Sequence, residues 1–288
     1  MNPQQAGCLY VVATPIGNLE DITARALRTL REVDLILAED TRTSGVLLSH
    51  FGIHTPVEAL FAHNEQRRSQ HYLAMIQAGK KLALISDAGT PLINDPGFPL
   101  VRAAREAGLA VVPVPGPSSV LAALSVCALP VDRFCYEGFL PSTASARREK
   151  LEQLRAETRT MVFLEAPHRL PETLAAMVEV FGADRNACLA RELTKHFETV
   201  VTRPLSELAD FVAADPNQQR GEMVLCVTGT SDMDSDLSEA LRIGNILNHH
   251  LPPGRAAAVA AEITGVSRKQ IYRAMLGGTN DEDDSENA

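Results

Sequence analysis

Two short loops in the first half of the chain carry the residue types of a small-molecule cleft. An apolar run over 82–85 leads into Ser86-Asp87-Ala88-Gly89-Thr90-Pro91, and another over 111–114 leads into Pro115-Gly116-Pro117-Ser118-Ser119. Small side chains let a ligand reach the backbone and hydrogen-bond to its N–H and C=O groups. In open α/β sheets, ligands bind outside the carboxyl ends of the strands, where such loops lie. The two loops therefore predict a cofactor cleft.

The glycine patterns that normally bind phosphate chains are missing from the sequence. Neither G-x-G-x-x-G nor G-x-x-x-x-G-K-[ST] occurs, so nicotinamide dinucleotides and P-loop nucleotides lose their usual supports. A further tight loop, Thr14-Pro15-Ile16-Gly17-Asn18, follows the first apolar run. The combination favours a nucleoside cofactor that lacks a phosphate chain.

The composition is that of a soluble globular protein. The chain has 288 residues, of which 45% are hydrophobic and 22% charged, enough for about two domains. No apolar run approaches the roughly eighteen residues of a membrane span, and residues 1–6 lack the pattern of a signal peptide, so we expect a cytoplasmic protein. The five cysteines form neither a CxxC motif nor a Cys/His cluster, which predicts no metal site and no disulfide.

The formal net charge of −9 conceals clusters of basic residues. Residues 279–288 contain five acidic residues and no basic one, so about half of the net charge lies there. Basic residues cluster at 67–68, 147–159 and 268–273. Local patches, not net charge, decide whether a protein binds phosphate. Two interpretations stay open, solvated helix faces and a nucleic-acid surface, and the first is the simpler.

Apolar strand-like runs alternate with amphipathic helical stretches, which predicts doubly wound α/β architecture. We expect an N-terminal α/β domain over 7–130 and, after the interruption at Pro130, a second α/β domain over 131–230. In the second domain the β-branched run 198–202 predicts a strand that pairs antiparallel with its predecessor.

The last part of the chain predicts a small helical domain over 236–277. The joint Thr264-Gly265-Val266-Ser267 is similar to the turn of a helix-turn-helix motif, whose second helix would carry Arg268, Lys269, Gln270 and Arg273. Both nucleic-acid binding and a plain helical cap are compatible with this pattern. The polar and acidic composition of residues 278–288 predicts a disordered tail.

Seven blocks, in order along the chain, resemble the tetrapyrrole-methylase superfamily. They are Thr14-Pro15-Ile16-Gly17-Asn18-Leu19-Glu20-Asp21-Ile22-Thr23, Ala38-Glu39-Asp40-Thr41-Arg42, Ser86-Asp87-Ala88-Gly89-Thr90-Pro91, Pro115-Gly116-Pro117-Ser118-Ser119, Glu165-Ala166-Pro167-His168-Arg169, Arg191-Glu192-Leu193-Thr194-Lys195 and Gly221-Glu222-Met223-Val224. The resemblance spans roughly residues 9–228, and the C-terminal helices fit as well. It is closest to the branch that methylates small-subunit ribosomal RNA.

This resemblance implies a two-domain enzyme, usually a homodimer, with S-adenosylmethionine in the cleft between the domains. It also implies a substrate, the ribose 2′-hydroxyl of one cytidine in the decoding region, presented as naked RNA or in the assembled small subunit. Carried over by position, the residues that contact the cofactor are Pro15, Ala88, Gly89, Thr90, Ile93, Ser118, Ser119, Glu165, Leu193 and Gly221. Relatives that modify porphyrinoids have Gly-Asp-Pro where this chain has Gly89-Thr90-Pro91, so that acidic contact is absent here or is supplied by Asp87.

Methyl transfer to a ribose hydroxyl requires positioning and a base that takes the proton. Asp87, Glu165 and Lys195 follow predicted strands, and we choose Asp87 first and Lys195 second as catalytic residues. The alternative for Asp87 is a loop cap. The predicted substrate-binding residues are Arg42, His168, Arg169 and Arg191, which could hold phosphate or form helix caps and structural ion pairs.

Two other function classes remain open from the sequence. One is a methyltransferase of the same superfamily that acts on a tetrapyrrole or a protein residue. Few aromatic residues (5%) and no Trp are available to line a porphyrinoid cleft. The other is a non-enzymatic RNA-binding assembly factor, against which the intact cofactor loops argue.

Overall fold

The N-terminal part of the chain forms one parallel sheet with helices on both faces. A computed structural model describes residues 7–61, 63, 65–230 and 232–276. The strands are β1 (Cys8–Val12), β2 (Leu35–Ala38), β3 (Val57–Ala59), β4 (Lys81–Ile85) and β5 (Ala110–Val114), in the order β3-β2-β4-β1-β5. The helices are α1 (Ala24–Glu32), α2 (Thr41–His50), α3 (Glu65–Gln77), α4 (Phe98–Glu106) and α5 (Ser119–Val126).

Helices α1 and α2 pack on one face of this sheet, and α3 and α4 pack on the other. Because both faces are covered, the central strands read as continuous apolar runs rather than alternating ones, and all four residues of β2 are buried. The predicted doubly wound architecture is confirmed.

The second region is a mixed sheet. Its strands are β6 (Phe134–Phe139), β7 (Thr160–Glu165), β8 (Asn186–Arg191), β9 (Thr199–Pro204) and β10 (Met223–Val227), in the order β6-β7-β10-β8-β9. Only β6 and β7 are parallel. The predicted antiparallel pairing of the β-branched run is confirmed, although β9 begins at Thr199 and continues to Pro204.

The two sheets meet through α5. Helices α6 (Ala144–Leu154), α7 (Leu170–Phe181) and α8 (Leu205–Ala214) cover one face of the second sheet. On the other face, Val120, Ala123 and Leu124 of α5 pack against β7, β8 and β10. This contact brings the loops of the first sheet over the strand ends of the second.

A small helical bundle ends the described chain. It consists of α9 (Asp232–Asn248), α10 (Pro253–Thr264) and α11 (Arg268–Met275), around a core of Ala240, Ala257, Ala260 and Ile271. Gly265, with φ of 76°, ends α10 in the left-handed conformation. None of the described helices combines the length and apolar character of a membrane span. The boundaries predicted at 130 and 230 stay predictions, and the predicted acidic tail lies outside the described residues.

Candidate cofactor and active site

Three loops at the carboxyl edge of the first sheet are tied together. After β1, Thr14 N donates to Gly89 O at 2.8 Å and Gly89 N donates to Thr14 O at 3.1 Å. After β4, Thr90 Oγ1 donates to Pro117 O at 3.0 Å, which joins the two loops singled out in the sequence. Gly89 has φ of +82°, a conformation that a side chain would disfavour. The loops therefore form one rigid rim.

A cavity of about 320 Å³ lies between this rim and the second sheet. A smaller cavity of about 30 Å³ adjoins it and shares Ala88, Ser119 and Leu164 with it. The larger cavity is lined by Ile16, Ala88, Ser119, Phe139, Leu164, Glu165, Ala166, Pro167, Ala190, Leu193, Gly221, Glu222, Met223 and Val224. The lining is mostly apolar with a few polar groups, and the size lies in the range of small-molecule sites.

The predicted cofactor-binding residues converge on these two cavities. Every one of them except Pro15 lines one or both: Ala88, Gly89, Thr90, Ile93, Ser118, Ser119, Glu165, Leu193 and Gly221. Pro15 stands between Thr14, which is bridged to Gly89, and Ile16, which lines the larger cavity. Residues from both halves of the chain thus meet at one place, and their contacts with a cofactor stay predictions.

Tyr136 is a cavity residue that the sequence did not reveal. It lines the smaller cavity, and its hydroxyl is buried without a hydrogen-bond partner in the part of the chain that the structure describes. Burial, with a smaller contribution from the Asp95 carboxylate, raises the pKa of this phenol. A buried hydroxyl without a partner is costly, so a polar ligand group is the expected partner.

Glu165 is a buried carboxylate at the cavity wall, and the protein holds it firmly. Its Oε1 accepts from Ala166 N at 2.8 Å, and its Oε2 accepts from Thr173 Oγ1 at 2.5 Å. The Arg169 Nε atom lies 3.2 Å from Oε1, while its Nη2 atom donates to the carbonyl of Leu140 at 2.6 Å. Arg169 therefore positions Glu165 and the loop after β6, and its predicted contact with substrate stays a prediction.

Lys195 lies between two carboxylates beside the cavity. Its Nζ atom is 2.8 Å from Glu192 Oε1 and 2.9 Å from Glu222 Oε2. Burial lowers the pKa of this amine, but the hydrogen bonds to both carboxylates outweigh that effect and raise it. A protonated ammonium cannot accept a proton. The geometry thus disfavours the predicted role of Lys195 as a base and favours a positioning role.

This group of three charged residues, which we call the latch (Glu192, Lys195 and Glu222), sits in a strained and crowded segment. Glu192 has φ of +51°, an uncommon conformation for a residue with a side chain. Its carboxylate also accepts from Glu222 N at 2.9 Å, and the charge of Lys195 helps to lower its pKa despite burial. A Cβ on Gly221 would lie 2.3 Å from Glu192 Cδ, and one on Gly17 would lie 2.5 Å from Lys195 Cγ. The latch therefore packs directly against Gly221, which lines the cavity.

Asp87 lies two residues after the end of β4 and has an exposed side chain, one residue before the cavity lining begins at Ala88. Its Oδ1 accepts from Asp40 N at 3.1 Å, which links it to the loop after β2; the cap of its own loop considered from the sequence stays a prediction. Burial and the neighbouring charge of Asp40 raise the pKa of Asp87. Asp95, which the sequence did not single out, has its pKa raised to about 6 by burial and by the charges of Glu39 and Asp87. These carboxylates form an acidic edge beside the cavity.

Arg42 and His168 are exposed near the site. Arg42 is the second residue of α2, where Asp40 caps the helix by accepting from Arg42 N at 2.8 Å, and the two side chains form an ion pair at 2.6 Å. That guanidinium lowers the pKa of Asp40 to about 2. His168 follows the cavity residue Pro167 in a short 3-10 turn. Both side chains are accessible from solvent, and their contact with substrate stays a prediction.

Arg191 lies inside the protein and is only 6% exposed. Its guanidinium donates to Gln218 Oε1 at 3.2 Å, to Arg220 O at 3.3 Å, and to both Phe197 O and Thr199 Oγ1 at 3.0 Å. All of these partners belong to the protein, so Arg191 connects β8 with β9 and with the segment before β10 through hydrogen bonds. The sequence favoured a substrate contact because it could not show this burial.

Comparison with known families and structures agrees with this geometry. The family described as Tetrapyrrole (Corrin/Porphyrin) Methylases matches residues 8–209, and the RsmI C-terminal HTH domain matches residues 234–278. Among solved structures, uroporphyrin-III C-methyltransferase from Thermus thermophilus, complexed with S-adenosylhomocysteine, superposes with a TM-score of 0.54. It is 18% identical and covers 77% of this chain and 97% of its own, a likeness in fold alone. Two sheets around this cavity thus define a tetrapyrrole-methylase fold.

Two curated relatives narrow the assignment. Ribosomal RNA small subunit methyltransferase I of Pseudomonas aeruginosa is 55% identical over 274 residues, which are 94% of this chain and 97% of that protein. The protein of the same name from Escherichia coli O157:H7 is 53% identical over 271 residues, with coverages of 94% and 95%. The chain therefore belongs to the ribosomal RNA small subunit methyltransferase I family of the tetrapyrrole methylases, as the sequence blocks predicted.

Proposed function

We propose that this chain is an S-adenosylmethionine-dependent methyltransferase of small-subunit ribosomal RNA, and that it methylates the ribose 2′-hydroxyl of a cytidine in the decoding region. The observation that carries the proposal is the cavity where three strand-end loops meet the second sheet, because the cofactor-binding residues carried over from the family converge there. Membership of the methyltransferase family supports the reaction class, and the names of the relatives support the ribosomal RNA substrate.

The cavity residues fit a nucleoside cofactor with a positive charge. Apolar side chains such as Ile16, Leu193 and Met223 offer surface to a base and a ribose, and the Tyr136 hydroxyl needs a polar partner. The carboxylates of the acidic edge beside the cavity contribute negative charge, whereas that of Glu165 is paired with Arg169. Bound S-adenosylmethionine supplies a methyl group on a sulfonium, ready for transfer.

Asp87 is the residue that we propose as proton acceptor for the ribose hydroxyl. Its side chain is exposed next to the cavity residue Ala88, and its carboxylate accepts a hydrogen bond from Asp40 N. Its pKa is raised, and a carboxylate of higher pKa is the stronger base once ionised. Arg42 and His168 lie on exposed surface nearby, where they could hold the RNA backbone.

Methyl transfer to purified ribosomal subunits tests the proposal. Small subunits and naked ribosomal RNA from cells that lack this protein would be incubated with the chain and labelled S-adenosylmethionine. The expected result is one 2′-O-methylcytidine in the decoding region, mapped by mass spectrometry. Cofactor binding in calorimetry without methyl transfer to either substrate would overturn the RNA assignment. Transfer to a porphyrinoid instead would support the tetrapyrrole alternative.

A cavity-filling substitution tests the cofactor site, and the same substitution away from the cavity is its matched control. Ala88 has an exposed side chain and lines both cavities, so Ala88→Trp should block the site without disturbing the core. We expect cofactor affinity to fall at least about tenfold and methyl transfer to be lost. Ala107→Trp, at the exposed end of α4, adds the same bulk away from the cavity and should retain both.

A further inference from the structure

The second helix of the C-terminal helix-turn-helix presents cations that have no ion-pair partner among the described residues. Arg268, Lys269 and Arg273 of α11 are exposed, and none of them forms an ion pair with any residue that the structure describes. Arg242 of α9 differs, because its guanidinium lies 2.7 Å from Glu239. Residues 253–276 contain four basic residues and one acidic residue, in a chain whose net charge is −9.

The packing of α11 determines which way these cations point. Ile271 is fully buried against the alanines of α9 and α10, so the opposite side of α11 faces solvent. Residues four positions apart lie above one another on a helix, which aligns Lys269 with Arg273 and Arg268 with Tyr272. Tyr272 is 40% exposed between the cations. We call these four residues the cationic face of α11.

The turn before α11 extends this surface toward the start of α10. The left-handed Gly265 reverses the chain, and Thr264 Oγ1 donates to Ala260 O at 2.8 Å while it accepts from Val266 N at 3.3 Å. The Arg268 Nη2 atom then lies 3.6 Å from the place that a Cβ on Gly254 would occupy, next to the exposed Arg255. The Arg268 guanidinium therefore lies beside the start of α10.

We propose that the cationic face of α11 is a docking site for the RNA strand of the small subunit, separate from the cavity where methyl transfer takes place. This inference rests on the proposed function. Unpaired Lys and Arg side chains bind phosphates and release counterions, and an exposed aromatic ring between them offers a stacking surface to an unpaired base. An acidic protein surface would use the cations but would gain nothing comparable from the ring.

The docking face belongs to a unit that packs on its own. Among the described residues, the core of the bundle draws on α9, α10 and α11 and on the turn residue Val266. A groove of about 450 Å³ separates Leu237 and Leu241 of α9 from Val180 and Phe181 of α7. Substitutions on α11 should therefore leave the cofactor cavity unchanged.

A charge-neutralising pair of substitutions tests the docking site on the full chain. Lys269→Ala/Arg273→Ala should reduce the slope of log affinity against log salt by about 1.5 and weaken binding to a decoding-region RNA fragment about tenfold. The KM for small subunits should rise by a similar factor, while kcat and the Kd for S-adenosylmethionine stay unchanged. The matched control is Arg105→Ala/Arg133→Ala, which removes two exposed arginines that have no ion pair in the described part of the chain and lie outside the bundle.

Substitutions of Tyr272 distinguish base stacking on the ring from charge attraction alone. Tyr272→Phe should bind the RNA fragment as the unaltered chain does, whereas Tyr272→Ala should weaken binding several-fold. Equal salt slopes and RNA affinities for the α11 pair and its control would overturn the docking site. So would a loss of affinity for acidic ribosomal proteins with RNA binding intact. If the unaltered chain binds S-adenosylmethionine and the RNA fragment but transfers no methyl group, the proposed function fails while the docking result still stands.

Discussion

Replacing Lys195 by methionine distinguishes a positioning lysine from a catalytic base. Met keeps a stem that packs near Gly17 but removes the charge that joins Glu192 and Glu222 at 2.8 and 2.9 Å. The Lys195 and Glu192 side chains are 27% and 18% exposed, so their contact is only partly screened by water, whereas Glu222 is 72% exposed and contributes little. With two carboxylates left facing each other, we expect a loss of about 1–2 kcal/mol of unfolding free energy.

The affinity for the cofactor should respond as well, because Leu193 and Gly221, the chain neighbours of Glu192 and Glu222, line the cavity. We expect the Kd for S-adenosylmethionine to rise about threefold to tenfold, measured by calorimetry beside urea unfolding. Lys80→Met is the matched control. It breaks an ion pair of 2.8 Å with Asp34 whose side chains are 54% and 35% exposed, and it should cost less than about 1 kcal/mol. If Lys195→Met abolished kcat with stability and cofactor affinity intact, the positioning role would be wrong and the base role right.

The latch also has a pH signature. The pKa of Glu192 is lowered in the folded state, so its stabilisation is present above the ordinary glutamate pKa and is lost as the pH falls through the folded value. The pKa of Lys195 is raised, so its stabilisation is present below the ordinary lysine pKa and is lost as the pH rises through the folded value. The stability difference between the unaltered chain and Lys195→Met should therefore be greatest between these limits and shrink on both sides in urea titrations. A difference independent of pH would contradict the ion-pair interpretation.

Four further outcomes follow from the geometry. Asp87→Asn should lower the single-turnover rate at least about a hundredfold with the cofactor Kd unchanged, and an unaltered rate would leave Asp87 with a structural role only, as acceptor for Asp40 N. Glu165→Leu should cost about 3 kcal/mol in urea unfolding, because it leaves the Arg169 charge without its buried partner, and a neutral result would contradict that pairing. Gly221→Ala, at φ of +82° and against a carboxyl group, should destabilise more than Gly52→Ala, at φ of +61° with open space, and equal losses would show that the close contact is harmless. Light scattering should give twice the 31.1 kDa chain mass if the homodimer that the family resemblance implies forms, and a monomer at micromolar concentration would refute it.

Much of the fold could be predicted from local pattern. The apolar run of β2 and the alternation of strands with amphipathic helices identified the doubly wound sheet, because burial on both faces leaves a direct mark on composition. Element ends were less exact, as with β9, because the β-branched pattern does not reveal where pairing with β8 stops.

The candidate site was predictable in part for a different reason. Cofactor loops such as Ser86-Asp87-Ala88-Gly89 are contiguous in sequence, so their small residues and their family resemblance could be read directly. Tyr136 and Asp95 carry no such local mark. Their significance comes from an unpartnered hydroxyl and from neighbouring carboxylates, which are properties of the folded chain.

The amino-acid order was thus sufficient for the architecture, the family and the loops that surround the cavity. The roles of charged residues such as Arg191 and Lys195 depended on the folded arrangement. In the sequence both looked like ligands for RNA or for a proton. Their partners in the folded protein lie up to 29 residues away along the chain. The N–H groups of Arg191 donate to protein acceptors, and the carboxylates beside Lys195 keep its amine protonated, so that it cannot accept a proton. A charge has the same identity at every position, but its pKa, its partners and its access to substrate depend on burial and on long-range contacts.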